Sequence, residues 1–245
     1  MKTLLLIIFV TFAGKAQEKD ALPDLINKLC EVKSLGFSLD FIGDEVPPEF
    51  SGGGSKPPSP NQTMKKIVQI GPDAIPELIK HLDDKRPTKL KVGKHPMMSR
   101  WFDAEYDPKN KFSKDVKPQE TNIKNTFERS FKEEYTVKVG DVCFVLIGQI
   151  VNRELLSVRY QPSFNMVINS PIESPELIER IKEDWGDIDK KGHLKSLVDD
   201  LYKAPVTEVR DAAIRIRFYY PSKFEKICDD YVKHQSKMRR EEKGK

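Results

Sequence analysis

The chain has 245 residues, 38% of them hydrophobic and 33% charged, a globular composition with enough apolar residues for one medium domain or two small ones. Its 42 basic and 38 acidic residues give a formal net charge of +4, too even a balance for the basic footprint of a nucleic-acid binder.

Residues 1–16 read as a signal peptide. Lys2 supplies a short basic start, Leu4 to Phe12 is an unbroken apolar run, and Gly14-Lys15-Ala16 places small residues at the two positions that a signal peptidase reads. The run is shorter than the roughly 20 apolar residues that cross a bilayer. The expected destination is therefore the periplasm or the extracellular medium, with no integral membrane anchor after cleavage and no lipid-attachment cysteine close behind it. Cleavage would remove Lys2 and Lys15 and no acid, leaving 40 basic residues against 38 acidic ones.

In the segment 17–42, Leu22, Leu25, Ile26, Leu29 and Val32 recur at three-and-four spacing, which predicts an amphipathic helix over Ala21 to Ser34 that docks by a single stripe. Residues 43–61 carry Pro47-Pro48, the run SGGGS and the run PPSP. Such a composition buries too little apolar surface to offset chain entropy and is expected to be a linker. From Gln62, Met64, Ile67 and Val68 mark one short helix, Gly71-Pro72-Asp73 a tight turn, and Ile75, Leu78, Ile79 and Leu82 a second helix, making an αα-hairpin.

This hairpin, with its glycine turn, its Ala-Ile-Pro-x-Leu-Ile second helix and the acidic exit at Asp83-Asp84, resembles a HEAT-like repeat. The resemblance is clearest near 62–92 and fainter near 140–152 and 206–233, where the Val-Arg-Asp-Ala-Ala core at 209–213 carries it. It implies a mainly α fold of irregular HEAT-like helical hairpins over 62–236, and with it a scaffold or protein-binding role, because stacked hairpins present extended surfaces to partners.

The array is interrupted by an insertion at 86–139 that is polar and carries scattered aromatics, including Trp101, Phe102 and Tyr106. Leu90 and Val92 share one face of a short strand at Lys89–Val92, and Tyr135, Val137 and Val139 alternate with Thr136 and Lys138, so the two segments are expected to pair across the insertion. A helix is expected over Thr121 to Glu134. The segment DVCFVLIGQIVNR at 141–153 is apolar nearly all round, which marks a buried hub helix with Asp141 capping its start.

Further on, Met166 to Ile168 is β-prone. Ser174-Pro175 opens a helix that faces Leu177, Ile181 and Trp185 inward and stops at Gly186. Leu194, Leu197, Val198 and Leu201 make the next helix. After the helix at Val206 to Arg217, the residues Phe224, Ile227, Cys228 and Tyr231 line another behind Pro221, and residues 237–245 read as a frayed charged tail.

Sequence signatures of several enzyme classes are missing: there is no G-x-S-x-G, no phosphate-binding P-loop, no H-E-x-x-H and no C-x-x-C pair. His81, His95, His193 and His234 lack metal-ligand spacing. Asp187 to Gly192 begins like a calcium loop but puts Lys191 at the fifth position and Val198 at the twelfth, so it reads as an interhelix turn. No metal and no cofactor are expected. Cys30, Cys143 and Cys228, an odd count, allow at most one intramolecular bridge and read as small buried hydrophobes. Asn61-Gln62-Thr63 fits the glycosylation sequon, which matters only in a eukaryotic host.

Two polar constellations remain. Gln149, Asn152 and Arg153 end the hub helix, and Arg159, Tyr160 and Gln161 follow within ten residues. Paired internally they would fix the loop at 153–162; left open, Arg153 or Arg159 would hold an anionic ligand. Trp101 and Asp103, with Tyr106, Glu105 and Asp107, form the other: aromatics beside acids that could anchor a protein or peptide partner or stack on a glycan. The leading expectation is a non-enzymatic exported scaffold. The alternatives are a hydrolase or lyase using those acids, or a ligand-binding module, with a site between the insertion and loop 153–160.

Overall fold

A computed structural model describes residues 21–35, 42, 61–93, 100–103, 134–153, 155–160, 166–203 and 206–243. The leader, nearly all of the 43–61 linker and the expected helix at 121–134 except Glu134, which is not helical, lie outside the described residues, as do Glu105, Tyr106, Asp107 and Gln161.

The apolar stripes form the helices they predict. Leu22–Asn27 is α1, which tightens into a 3-10 turn at Lys28–Glu31, so the α-helix is shorter than its stripe. Leu25, Ile26, Leu29 and Val32 are nevertheless all buried. Asn61 caps α2 (Gln62–Ile70): its Oδ1 accepts from the N–H groups of Thr63 at 2.9 Å and Met64 at 3.2 Å, giving an acceptor to two of the donors a helix start leaves unpaired. A 3-10 turn at Gly71–Ala74 leads into α3 (Ile75–Lys80). Gly71 sits at φ 76°, and a Cβ there would come within 2.8 Å of the Tyr219 ring. That ring donates its hydroxyl to the Val68 carbonyl at 2.7 Å, tying the far end of the chain to this turn.

Strand β1 (Pro87–Val92) pairs antiparallel with β3 (Tyr135–Lys138) across the insertion, as expected, with Thr88 and Val92 buried on its inner side and Tyr135 and Val137 buried opposite. The alternation stops one residue early, because Val139 is the first residue of α4 (Val139–Val151) and not a strand residue. All 13 residues of α4 are buried, the hub that its composition predicts, and it packs against α2, α3 and the 3-10 turns beside them.

Asp141 does cap this helix, but from its third position. Lys138 is the N-cap residue, and the Asp141 Oδ2 reaches back to its N–H at 2.8 Å. The same oxygen accepts the Tyr135 hydroxyl at 2.6 Å, and Oδ1 accepts the Ser170 hydroxyl at 2.5 Å. The Asp141 backbone carbonyl takes the Ser157 hydroxyl at 2.6 Å. Three segments, β3 and the stretches at Ser157 and Ser170, are thus pinned to one buried side chain and its own peptide.

Two strands were not legible in advance. Strand β2 (Arg100–Asp103) lies within the insertion, and β4 (Val158–Tyr160) lies in the stretch read as a loop. Both flank β5 (Met166–Asn169), β2 in parallel and β4 antiparallel, so the second sheet has the order β2-β5-β4. The β component is therefore not confined to the insertion. Phe102 stacks edge-on against Tyr135 at 5.5 Å and carries the sheet onto the core.

Helix α5 (Glu176–Trp185) buries Leu177, Ile181 and Trp185, and residues 186–189 connect it to α6 (Lys190–Lys203), which starts inside the segment read as an interhelix turn. The Asp189 Oδ1 accepts the Gly192 N–H at 2.6 Å, a helix cap in the place of a calcium loop. Helices α7 (Val206–Tyr219) and α8 (Pro221–Lys243) follow, α6 packing on α7 and α7 on α8. Helix α8 continues through the charged segment that reads as a frayed tail. Leu197, Leu201, Ala212 and Ile216 form a second small core here, with Phe224, Ile227 and Tyr231 half-buried against it. The chain is thus mainly α-helical with a small β component. No described helix is long and apolar enough to cross a membrane.

Candidate functional site

A helix leaves its last four carbonyls without intrahelical donors, and the C-terminal end carries the negative pole of the helix dipole. At the buried end of α4 these carbonyls meet side chains from distant helices. Asn152, at φ 60°, turns the chain, and its N–H and that of Arg153 return to the Gly148 carbonyl. The Gln149 carbonyl accepts Arg215 Nε at 2.7 Å, and the Ile150 carbonyl meets His193 Nε2 at 2.9 Å. Arg153 Nη1 donates to the Asn152 carbonyl at 2.9 Å and, weakly, to that of Val151 at 3.4 Å. Three cationic or titratable side chains therefore terminate the hub helix, matching the sign of its dipole.

One acid balances them. Asp200 Oδ2 accepts Arg153 Nη1 at 2.7 Å and Asn152 Nδ2 at 2.8 Å, and the Arg153 guanidinium lies 5.5 Å from the centre of the Trp185 ring. Arg215 is 1% exposed, and burial pushes its pKa down; its bonds run to main-chain carbonyls of Gln149 and Asp211. Burial, reinforced by the Arg215 charge, likewise pushes His193 below the ordinary imidazole range, against the opposing pull of the Ile150 carbonyl. The Gln149 Oε1 is the buried side-chain polar atom without a partner among the described residues.

Arg153 thus spends its guanidinium inside the protein, and an anionic ligand would have to displace Asp200. Replacing Arg153 with Met leaves that carboxylate buried on Asn152 alone, and a stability loss of about 2–3 kcal/mol is expected. Arg159→Ala, on a half-buried strand position, should cost about 1 kcal/mol. Denaturant midpoints check both. A loss for Arg153→Met no larger than that for Arg159→Ala would contradict the internal role.

The other expected site residues fall on the second sheet. Trp101 and Arg159 stand opposite Val167 on its two sides, Tyr160 opposite Met166, and Asp103 opposite Asn169. The backbone therefore brings the insertion and the 158–160 segment onto one rung pattern, with β5 between them, while Arg153 belongs to the helical junction. His193, Asp200 and Arg215 were missed as members of that junction. Their signal was a polar residue on an apolar stripe: His193 and Asp200 among Leu197 and Leu201, Arg215 between Ala212 and Ile216. The three cysteines are free thiols, Cys143 fully buried with its pKa pushed up by desolvation. Among the described residues no group of acids, histidines and cysteines is arranged to hold a metal.

No protein-family model, curated protein or solved structure matches the chain.

Proposed function

We propose that the chain is an exported, non-enzymatic scaffold that binds another protein or peptide through its C-terminal helical layer, in the manner of a short HEAT-like array. The observation that carries this reading is α8. It has 23 residues against 14 in α7, to which it is joined by Tyr220 alone, so its last turns outrun the helix they pack on. In those turns Met238 is 43% exposed; before them Val232 is 60% exposed, and Tyr202 stands exposed nearby with the Tyr231 and His234 rings against it. Large apolar side chains left exposed on a charged helix are the kind of anchor that partners use.

The test compares the intact chain with a Val232→Asp/Met238→Asp double variant as baits in the exported fraction. A partner retained by the first and lost by the second supports the reading. No partner on either, or the same partner on both, sinks it.

A second reading draws support from the β2-β5-β4 sheet, which holds Trp101 and Arg159 on either side of Val167. It is a ligand-binding module for a glycan or a small anion, and Trp101→Ala and Arg159→Ala should each abolish binding in a glycan and anion panel if it is right.

A further inference from the structure

Helix α8 carries a row of positions that the neighbouring helices leave uncovered. Phe224, Ile227 and Tyr231 turn to the small C-terminal core, whereas Glu225, Asp229, Val232 and Ser236 are all exposed, Val232 to 60%. With Arg239 and Lys243 they follow one another at alternating spacings of four and three residues, the spacing by which one helix lies along another. Met238 lies about 120° round the helix from Val232 and belongs to a different face.

In chain order the row is Glu, Asp, Val, Ser, Arg, Lys. A helix on its own gains nothing from that order: Glu225 stands four residues from Asp229, and Arg239 four from Lys243, and like charges at this spacing repel. The helix dipole favours acids in the first turn and bases in the last, which reaches neither Asp229 nor Arg239. Glu225 and Asp229 also take part in no ion pair among the described residues.

A second copy running the opposite way does reward the order. The row is symmetric about position 234, so an antiparallel copy sets Glu225 against Lys243, Asp229 against Arg239 and Val232 against Ser236, and the same three pairs recur in reverse. A parallel copy would set each charge on its own kind. The central layer fits without an orphaned group. The Ser236 hydroxyl already donates to the Val232 carbonyl of its own helix at 2.8 Å, so Val232 of the other copy meets a small side chain whose donor is satisfied.

We propose that α8 docks a second copy of this chain, helix against helix, antiparallel and two-fold symmetric about position 234. This rests on reading α8 as a docking helix and names the partner of its Val232 flank, leaving Met238 and Tyr202 to other contacts. The row spans roughly 27 Å, and a single helix pair held mainly by charges is a small interface, so the association is reversible and sensitive to salt.

Sedimentation equilibrium of the purified chain, at loading concentrations up to about 0.5 mM, tests this. A monomer–dimer equilibrium is expected, its dissociation constant rising about tenfold or more between about 50 and 500 mM salt. Two charge-reversed variants read the register. Glu225→Lys/Asp229→Arg makes the row wholly basic, and Arg239→Asp/Lys243→Glu makes it wholly acidic. Each should be monomeric alone, and an equimolar mixture should form a heterodimer with all four ion pairs restored. A native chain that stays monomeric, a dimer that survives in either variant alone, or variants that do not associate when mixed overturns the pairing. The docking reading fails separately: a monomeric chain that captures an unrelated partner through Val232 and Met238 overturns the pairing and leaves that reading standing.

Discussion

Replacing Asp141 with alanine should destabilise the protein by about 3–5 kcal/mol, among the largest losses any single substitution in this chain produces. Its carboxylate is the common acceptor for the buried Tyr135 and Ser170 hydroxyls and for the partly buried Lys138 N–H. Removing it strands the Lys138 N–H and leaves the Tyr135 and Ser170 hydroxyls, 3.0 Å apart, to share one bond where each had its own acceptor, and each buried orphan costs about 1–3 kcal/mol. Asp141→Asn keeps the shape but turns an amide nitrogen toward one of those donors, so a loss of about 2–3 kcal/mol is expected. Urea melts at pH 7 measure both; a loss below 1 kcal/mol for the alanine variant would refute the shared-acceptor account.

Acid adds a second reading of the same site. Desolvation raises the Asp141 pKa, against the pull of the Ser170 and Tyr135 hydroxyls and the Lys138 N–H. The folded chain then takes up a proton before the unfolded one does, so this group's contribution to stability grows as pH falls through the raised value toward 3.8. The stability gap between the native protein and Asp141→Asn should widen over that interval.

The sequence made the inward faces legible almost residue by residue, because a helix that buries one stripe must repeat it at three-and-four spacing. Leu25 and Ile26 in α1 and Leu29 in the 3-10 turn that continues it, Met64, Ile67 and Val68 in α2, and Leu177, Ile181 and Trp185 in α5 are all buried on this principle. The β1–β3 pairing was legible because both strands alternate. Strands β2 and β4 were not: RWFD and VRY are too short to show a period, and what orders them is β5, more than sixty residues from the first of them. The candidate site divides in the same way. Arg153 stood out beside an apolar helix, but its counter-charge at Asp200 and the Gln149 partner Arg215 are 47 and 66 residues further on, and local patterning carries no information about such pairs.

The hub also needs something that hydropathy does not encode, a place where another backbone can approach it. At Gly140 the Val139 and Gly140 N–H groups donate to the carbonyls of Arg86 and Asp84, each at 3.0 Å, so the first turn of α4 lies directly on the chain leaving α3. A Cβ on Gly140 would sit 2.3 Å from the Leu82 carbonyl oxygen and 2.9 Å from its carbon, and a main-chain group held by those neighbouring bonds has no rotamer by which to move aside. Gly140→Ala should therefore cost about 3 kcal/mol or more, although alanine is the better helix former by about 1 kcal/mol. Gly192 in α6 provides the contrast. The nearest atom to a Cβ there is the Oδ1 of exposed Asp189 at 3.2 Å, the end of a side chain that can yield by a few tenths of an ångström, at some cost to its cap on the Gly192 N–H. Gly192→Ala should therefore stay within about 1 kcal/mol of neutral, the propensity gain offset by strain on that cap. Denaturant midpoints of the two variants should move in opposite directions or differ by at least 2 kcal/mol; two losses of similar size would mean that helix α4 does not rest on the Leu82 backbone.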